Sequence, residues 1–455
     1  MPCHDSVLKT LSKFIPNTPP NWSQLNNSDF TRTRKLPFPR LVSFILSSVA
    51  SGAQGGLAVK AAEFVKQSRR NELWQDAQYF SASAISKARK KLSWKVFEQL
   101  LDKAADLADE LWPSHLCDTW YGLRVLAVDG SKHRLPASDE LRTVFDLESG
   151  LQYAGRGHYP ECVVSVLFDV LRRYPIAQTI EPLASSERKA LLGFLPRIPQ
   201  RSITIMDKGY HGYEVIWSFM QVRNRHFLLR APRFNGFGVV QHFLKSGKSE
   251  QILTIHPPVK MLRALPEEDA AQRGPIQVRA IRMESPDGEV TALLTDLLDM
   301  NKYKPDDLQN LYRSRWEVET YYRNEKITLN MEQFHSRTAN GIRQELFSAA
   351  IMCVIAKILI TIEQRPAEKT EPQLKNALYA IGSEAAMLCN KNPAAALRVM
   401  ISLLEQIRHV RYVVRKKPRQ NQLRVCKTPP SKWILGRIRK LGIVRSERGS
   451  KLVVS

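Results

Sequence analysis

The chain reads as an α/β protein flanked by helical regions, and three observations carry that reading. Apolar, β-rich runs alternate with helical patterns between Leu123 and Ala231. Residues before 111 and between 339 and 410 show helical periodicity with almost no strand signal. At 455 residues the chain can bury a sizeable core and divide into two or three domains. The divisions we read are a helical region at 1–118, an α/β domain at 119–335 with a β-rich insertion at 233–300, and a helical region at 336–455 that ends in a basic tail.

From Ser6 to Leu111 the helical pattern is broken by Pro-rich spacers at Pro16–Pro20 and Pro37–Pro39. The stretch from Ser81 to Leu92 combines a helix-starting Ser, small residues and a basic face. It suits the recognition helix of a helix-turn-helix-like unit, and equally an ordinary surface helix of a small bundle. Strands are expected at Leu123–Asp129, Glu161–Val170, Ile176–Leu183, Ile203–Asp207 and His226–Arg230, with helices near Ser186–Leu195 and Tyr213–Val222. Asp129 and Asp207 each close an apolar run just before a Gly-containing turn, which predicts a carboxylate at the C-terminal tip of a buried strand. The 112 residues from Asp207 to Glu319 are too many for a direct connection. Extra strands at Gln251–His256, Val278–Met283 and Val290–Leu294 fill the interval as an insertion.

The segment Leu311 to Lys326 reads Tyr312-x2-Arg315-x3-Glu319-x6-Lys326 within what looks like one long helix. At about 100° per residue, the four residues fall on a polar stripe about 60° wide. Leu311, Val318, Tyr322 and Leu329 form the buried face beside it. The plain reading pairs Glu319 with Arg315 and Arg323 across one helical turn, worth tenths of a kcal/mol. Asp-Gly after a strand is, on the same plain reading, a turn. Two strand-tip aspartates and a glutamate flanked by cations are nevertheless the set that metal-dependent phosphodiester chemistry would use.

These residues carry a resemblance. VDGS around Asp129, MDKGYHGYE around Asp207, the Tyr312/Arg315/Glu319/Lys326 signature and FHSRTANGIRQEL from Phe334 resemble the insertion-sequence-four family of bacterial DDE transposases over residues 120–360. The resemblance implies a ribonuclease-H-like catalytic core, with three strands before the first helix. It implies that Asp129, Asp207 and Glu319 are the catalytic and metal-holding acids, with Asp129 bridging two Mg2+ ions and Asp207 and Glu319 holding one each. Mn2+ would substitute. Arg315 and Lys326 would clamp DNA phosphates, and Tyr312 would pack against or hydrogen-bond the end of the transferred strand. The implied reaction is transposition, a DNA recombination: nicking at the ends of an insertion sequence frees 3′ hydroxyls, which then attack target DNA. Cutting both ends of the transposable element together requires at least a homodimer on double-stranded DNA. Some members release the element through a DNA hairpin held by aromatic side chains of the insertion. Here residues 235–300 contain no Trp, and Phe237 and Phe243 are the only aromatics, a departure from that pattern.

Composition agrees with a nucleic-acid partner. There are 68 Lys and Arg against 44 Asp and Glu, a net charge of +24, which attracts polyanions through counterion release. Residues 408–455 hold 15 Lys or Arg against the single acid Glu447, interleaved with Tyr412, Trp433, Ile434 and Leu435. That suits a DNA-binding arm, and also a solvated basic tail. Six scattered cysteines, with neither zinc spacing nor a CxxC pair, read as reduced thiols of a cytosolic, nucleoid-associated protein. No secretory signal opens the chain, and the most apolar run, Phe347–Ile362, is 16 residues long and includes Lys357. No membrane partner is expected.

Asp169 and Asp296 are the other acids in strand patterns that could replace a misassigned ligand. His158 and His211 lie near the two aspartates but read as polar loop residues. Two further functions stay open: a ribonuclease-H-type nuclease that cuts without strand transfer, and an inactive DNA-binding regulator.

Overall fold

The computed structural model describes residues 4–17, 29–30, 35–50, 55–113, 116, 118–147, 159–234, 236–284, 288–363, 370–389, 392–413, 444–445 and 452–453. The first of two units is Met1–Tyr412. Its N-terminal helices are α1 (His4–Leu11), α2 (Phe38–Ala50), α3 (Leu57–Arg70), α4 (Ala82–Arg89) and α5 (Lys95–Leu111). In α5, Val96, Phe97, Leu100, Leu101, Ala104, Ala105, Ala108 and Leu111 recur at helical spacing and are all buried. The Ser81 side chain accepts from the Ala84 amide and so starts α4, as the sequence suggested. The basic face of α4 is divided. Lys87 and Lys90 are exposed, while Arg89 is buried and its guanidinium reaches Gln344, Glu345 and the Gly341 carbonyl at 2.7–2.9 Å.

The five expected strands are present as β1 (Arg124–Arg134), β2 (Glu161–Asp169), β3 (Tyr174–Pro182), β4 (Ser202–Met206) and β5 (Arg225–Arg230). Helix α6 (Asp139–Phe145) follows β1, α7 (Glu187–Phe194) follows β3 and α8 (Tyr213–Met220) follows β4. The strands lie in the order β3-β2-β1-β4-β5. β1, β2 and β3 pair antiparallel, while β1, β4 and β5 run parallel. Three antiparallel strands followed by two parallel ones joined through helices is the ribonuclease-H-like core. Parallel neighbours need crossovers that cover the faces, which is why Ile203, Ile205 and Met206 of β4 are all buried.

β1 runs longer than expected. The Asp129-Gly130-Ser131 segment was read as a turn, yet it stays in the ladder opposite Val166, Ser165 and Val164, and the strand continues to Arg134. Pairing with β2 overrides the local turn preference. Pairing with β4 ends at Ala127 opposite Ile205, so Asp129 lies just past the point where the parallel neighbour stops.

The insertion contains β6 (Glu250–Ile255), β7 (Ile276–Glu284) and β8 (Val290–Thr295), close to the expected positions. It also carries α9 (Gly238–Lys245), α10 (Val259–Leu262) and α11 (Glu267–Gln272), so it is mixed rather than all β. Its strands extend the main sheet through a β5–β8 pairing to give eight strands in the order β3-β2-β1-β4-β5-β8-β7-β6.

Then come α12 (Pro305–Arg313), α13 (Trp316–Thr328), α14 (Ala339–Ile362), α15 (Leu374–Ser383) and α16 (Pro393–His409), with a short strand at Thr370–Pro372 between α14 and α15. Helix α14 is long and apolar enough to cross a membrane, but 89% of its most apolar window is buried within the molecule, where it packs on α2, α5, α15 and β3. Each fully buried Leu, Ile or Phe there contributes about 1.5–3 kcal/mol, which makes α14 the central helix of the core. Cys162, Cys353 and Cys389 are buried, and none of the three is in a disulfide. The second unit, Val413–Ser455, contains an antiparallel pairing of Val444–Arg445 with Leu452–Val453. Trp433, Ile434 and Leu435 of the basic arm lie outside the described residues.

Candidate active site

Asp207 follows the last residue of β4, as expected, and caps the short turn Lys208–Tyr210 by accepting from the Gly209 amide at 2.8 Å. Asp129 emerges from the adjacent strand past the same edge. Its backbone is fixed by Tyr322 of α13, whose hydroxyl donates to the carbonyls of Asp129 at 2.7 Å and Val164 at 2.9 Å.

The signature segment is two helices rather than one. Ser314 and Arg315 interrupt it between α12 and α13. The Ser314 hydroxyl donates to the Leu311 carbonyl at 2.6 Å, and amide bonds across the joint reach back three residues instead of four: Ser314 to Leu311, Arg315 to Tyr312, Glu317 to Ser314 and Val318 to Arg315. A side-chain hydroxyl competing for a helical carbonyl tightens the turn in this way. The buried face survives, since Leu311, Val318, Tyr322 and Leu329 are all at most 5% exposed. The tightened joint carries Arg315, which pairs with Glu319 at 2.7 Å and with Asp129 at 3.8 Å.

Asp129, Glu319 and Arg315 are thus in one cluster, with Asp207 close enough to act on Asp129. Burial pushes the Asp129 carboxyl up to about 7, with Asp207, Glu319 and Glu187 adding to the rise and Arg315 opposing it. Tyr312 is buried next to Arg315, with its phenol pushed up chiefly by burial. Lys326 reaches across the continuation of β1 to the Lys132 carbonyl at 2.5 Å. Beneath the cluster, His133 of β1 and Glu325 of α13, both fully buried, face each other at 3.5 Å and tie the strand of Asp129 to the helix of Glu319. Trp316, next to Arg315, is 65% exposed.

The alternative acids are engaged elsewhere. Asp169 is fully buried and bound to Arg124 at 2.6 Å. Asp296 pairs with His226 at 2.7 Å and accepts the Phe227 amide. His211 packs its ring on Phe237, and burial lowers it to about 4, so it is neutral at physiological pH. His158 lies outside the described residues.

As the side chains stand, no three His, Cys, Asp or Glu among the described residues converge on one point that would hold a metal ion. Arg315 acts as counter-ion to Asp129 and Glu319 instead. The donor chemistry still fits a hard divalent cation: the groups are carboxylates at strand and helix ends, and Asp129 is destabilised by like charge that a cation would relieve.

Glu187 and Tyr210 belong to this site and escaped the sequence reading. Glu187 opens α7, and a Cβ on Gly130 would fall 2.7 Å from its carboxylate oxygen, so Gly130 leaves the space that Glu187 fills. In sequence, an acid in the first turn of a helix reads as a partner for the helix dipole. The Gly that follows Asp129 was the only available sign of a close approach.

The family model described as "Transposase DDE domain" matches residues 120–355, just over half of the chain. The transposase InsG for insertion sequence element IS4 of Escherichia coli strain K12 is 24% identical over 278 residues, 60% of this chain and 60% of InsG. The putative transposase InsZ of the same organism is 28% identical over 150 residues, 33% of this chain and 49% of InsZ. The chain therefore spans between about half and three-fifths of the length of these relatives. A piggyBac transposase structure, a synaptic complex with hairpin DNA, superposes with a TM-score of 0.40 and 10% identity over 91% of this chain and 83% of that one. With the family match spanning the three acids and the signature segment, the chain belongs to the DDE transposases, of the type found in insertion sequence IS4.

Proposed function

We propose that this transposase cuts phosphodiester bonds at the ends of an insertion sequence and joins the freed 3′ ends to target DNA, using Asp129, Asp207 and Glu319 as its metal-holding acids. The observation that carries the proposal is the crowding of carboxylates at the edge where β4 ends, with Arg315 as their chief counter-ion. Buried like charge is costly, and a fold has no structural need for it. Two Mg2+ or Mn2+ ions, when bound, would supply activation of the attacking hydroxyl and neutralisation of the leaving oxygen.

The chain's own residues would do the rest. Asp207 is held at its strand tip by the Gly209 amide, and Glu319 is presented from α13, which Tyr322 anchors to β1 and β2. Arg315 would exchange Glu319 for a DNA phosphate, for which its planar fork is suited. Lys326 would contact the backbone beyond it as a point charge. Trp316 offers an exposed ring on which an unpaired base could stack. Both steps, cutting and joining, can use one set of acids because only the nucleophile changes, from water to the 3′ hydroxyl. Residues 1–118 and the basic C-terminal arm would hold element DNA, with at least a homodimer bridging two ends in a cytoplasmic, nucleoid-associated complex.

The test is cleavage of a labelled fragment carrying the DNA that flanks this gene, in Mg2+, Mn2+ and EDTA. Wild type should cut at discrete ends only with metal, and Asp207→Ala and Glu319→Ala should not cut. Discrete cuts without joined product would favour a nuclease that does not transfer strands. Binding with no cutting in any metal would favour the regulator.

A further inference from the structure

The acid cluster has a fourth carboxylate that the DDE signature does not contain. Glu187 stands at the start of α7, and its carboxylate rests against the Cα of Gly130, the residue after Asp129. The neighbouring Arg188 donates to the Gly209 carbonyl at 3.0 Å, which ties the first turn of α7 to the turn that Asp207 caps. The Gly130 step of β1 and the Lys208–Tyr210 turn therefore both meet the first turn of α7.

A second, independent feature points to a ligand at the same place. Tyr210 is fully buried, and its hydroxyl, which has no hydrogen bond of ordinary geometry, engages the Glu187 carboxylate. Burial pushes that phenol well above its usual range, with Glu187, Asp129 and Asp207 adding to the rise and Arg315 opposing it. A buried donor without a well-formed hydrogen bond costs about 1–3 kcal/mol, and the carboxylate that engages it here is Glu187.

A purely structural role explains Glu187 poorly. A carboxylate in the first helical turn gains about 0.3–1 kcal/mol from the helix dipole wherever it points. This one instead sits where burial and Asp207 raise its carboxyl, against weaker opposing pulls from Lys132 and the Tyr210 hydroxyl.

We propose that Glu187 is a ligand of the divalent ion held by Asp129 and Asp207, with the Tyr210 hydroxyl donating into that carboxylate shell. The inference rests on the metal-dependent reading of the acids given above. It makes the centre a set of four carboxylates, with α7 as a wall of the metal site rather than a passive covering helix.

The test is Mn2+ titration of the full-length, DNA-free protein, with free Mn2+ read by electron paramagnetic resonance, so that binding is measured apart from cleavage. Wild type, Glu187→Gln, Gly130→Ala and Asp129→Asn are compared, with thermal melting in EDTA alongside. Glu187→Gln should weaken Mn2+ binding about tenfold or more while melting in EDTA no lower than wild type, because a like charge has been removed. Gly130→Ala, which displaces the carboxylate without removing it, should weaken binding in the same direction and keeps the test open if the glutamine variant folds poorly. Wild-type Mn2+ affinity in both variants, with Asp129→Asn impaired, would overturn the role of Glu187 and leave the three-acid site standing. Absence of Mn2+ binding by wild type itself would remove the metal reading and this inference together.

Discussion

Asp129 and Asp169 lie on neighbouring strands, opposite Val166 and Leu126 respectively, and their surroundings are opposites. Asp169 is fully buried but saturated: Arg124 binds one oxygen at 2.6 Å and the Arg172 amide binds the other at 2.8 Å. Asp109 and the Tyr174 hydroxyl complete that network, with Arg124 and Arg172 each also held by Asp109. Asp129 is more exposed, at 17% of its side chain, yet it faces Asp207, Glu319 and Glu187 with Arg315 in opposition. Burial alone therefore does not mark a functional acid. An acid whose partners are complete is scaffold, and an acid surrounded by like charge awaits a cation.

The largest effect expected from this contrast is on cleavage. Asp129→Ala should reduce metal-dependent cutting by about 10³-fold or more, because metal stabilisation of several kcal/mol is lost and each 1.4 kcal/mol is tenfold. Gel assays at matched DNA occupancy would check this, and cutting within tenfold of wild type would break the comparison. The reverse holds for the saturated end. Arg124→Met leaves Asp169 buried without its main partner and should destabilise the protein by about 3 kcal/mol in chemical denaturation. Metal binding by the folded fraction should be unchanged.

A pH experiment sharpens the same difference. Asp129 binds its proton more tightly folded than unfolded, since its carboxyl is raised from 3.8 to about 7. The metal-free protein should therefore lose stability as pH rises across that window, by up to about 1.4 kcal/mol per pH unit. Asp129→Asn should flatten this part of the curve, and added Mn2+ should do likewise by relieving the charged form. An identical slope in wild type and Asp129→Asn would contradict the assignment. The smallest effect concerns the joint that positions Arg315. Ser314→Ala removes the hydroxyl that tightens the turn and should change stability by less than about 0.5 kcal/mol. Its cleavage rate should fall by about tenfold at most, through misplacement of Arg315 and Glu319.

Much of this fold is visible in the sequence for a simple reason. β2, β3, β4 and β5 are apolar runs bounded by charged or turn residues, so their pattern is local, and the same is true of the three strands of the insertion. What escaped depends on partners distant in the chain. The extension of β1 through Gly130 needs β2 to hold it, and the joining of the insertion to the main sheet needs the β5–β8 pairing. The break at Ser314 depends on a single hydroxyl choosing the Leu311 carbonyl. At the site, the three signature acids could be read because each has a characteristic neighbourhood in sequence. Glu187 has none, and only the close approach at Gly130 and the buried Tyr210 hydroxyl that engages it reveal it.

These carboxylates would form a metal centre in which Arg315 holds the place of the cation. Anomalous diffraction from crystals grown with Mn2+ tests it most directly. Manganese should bind among Asp129, Asp207 and Glu319, with the Arg315 guanidinium released from Glu319. Manganese found elsewhere, or absent at millimolar concentration with Arg315 still paired to Glu319, would contradict it.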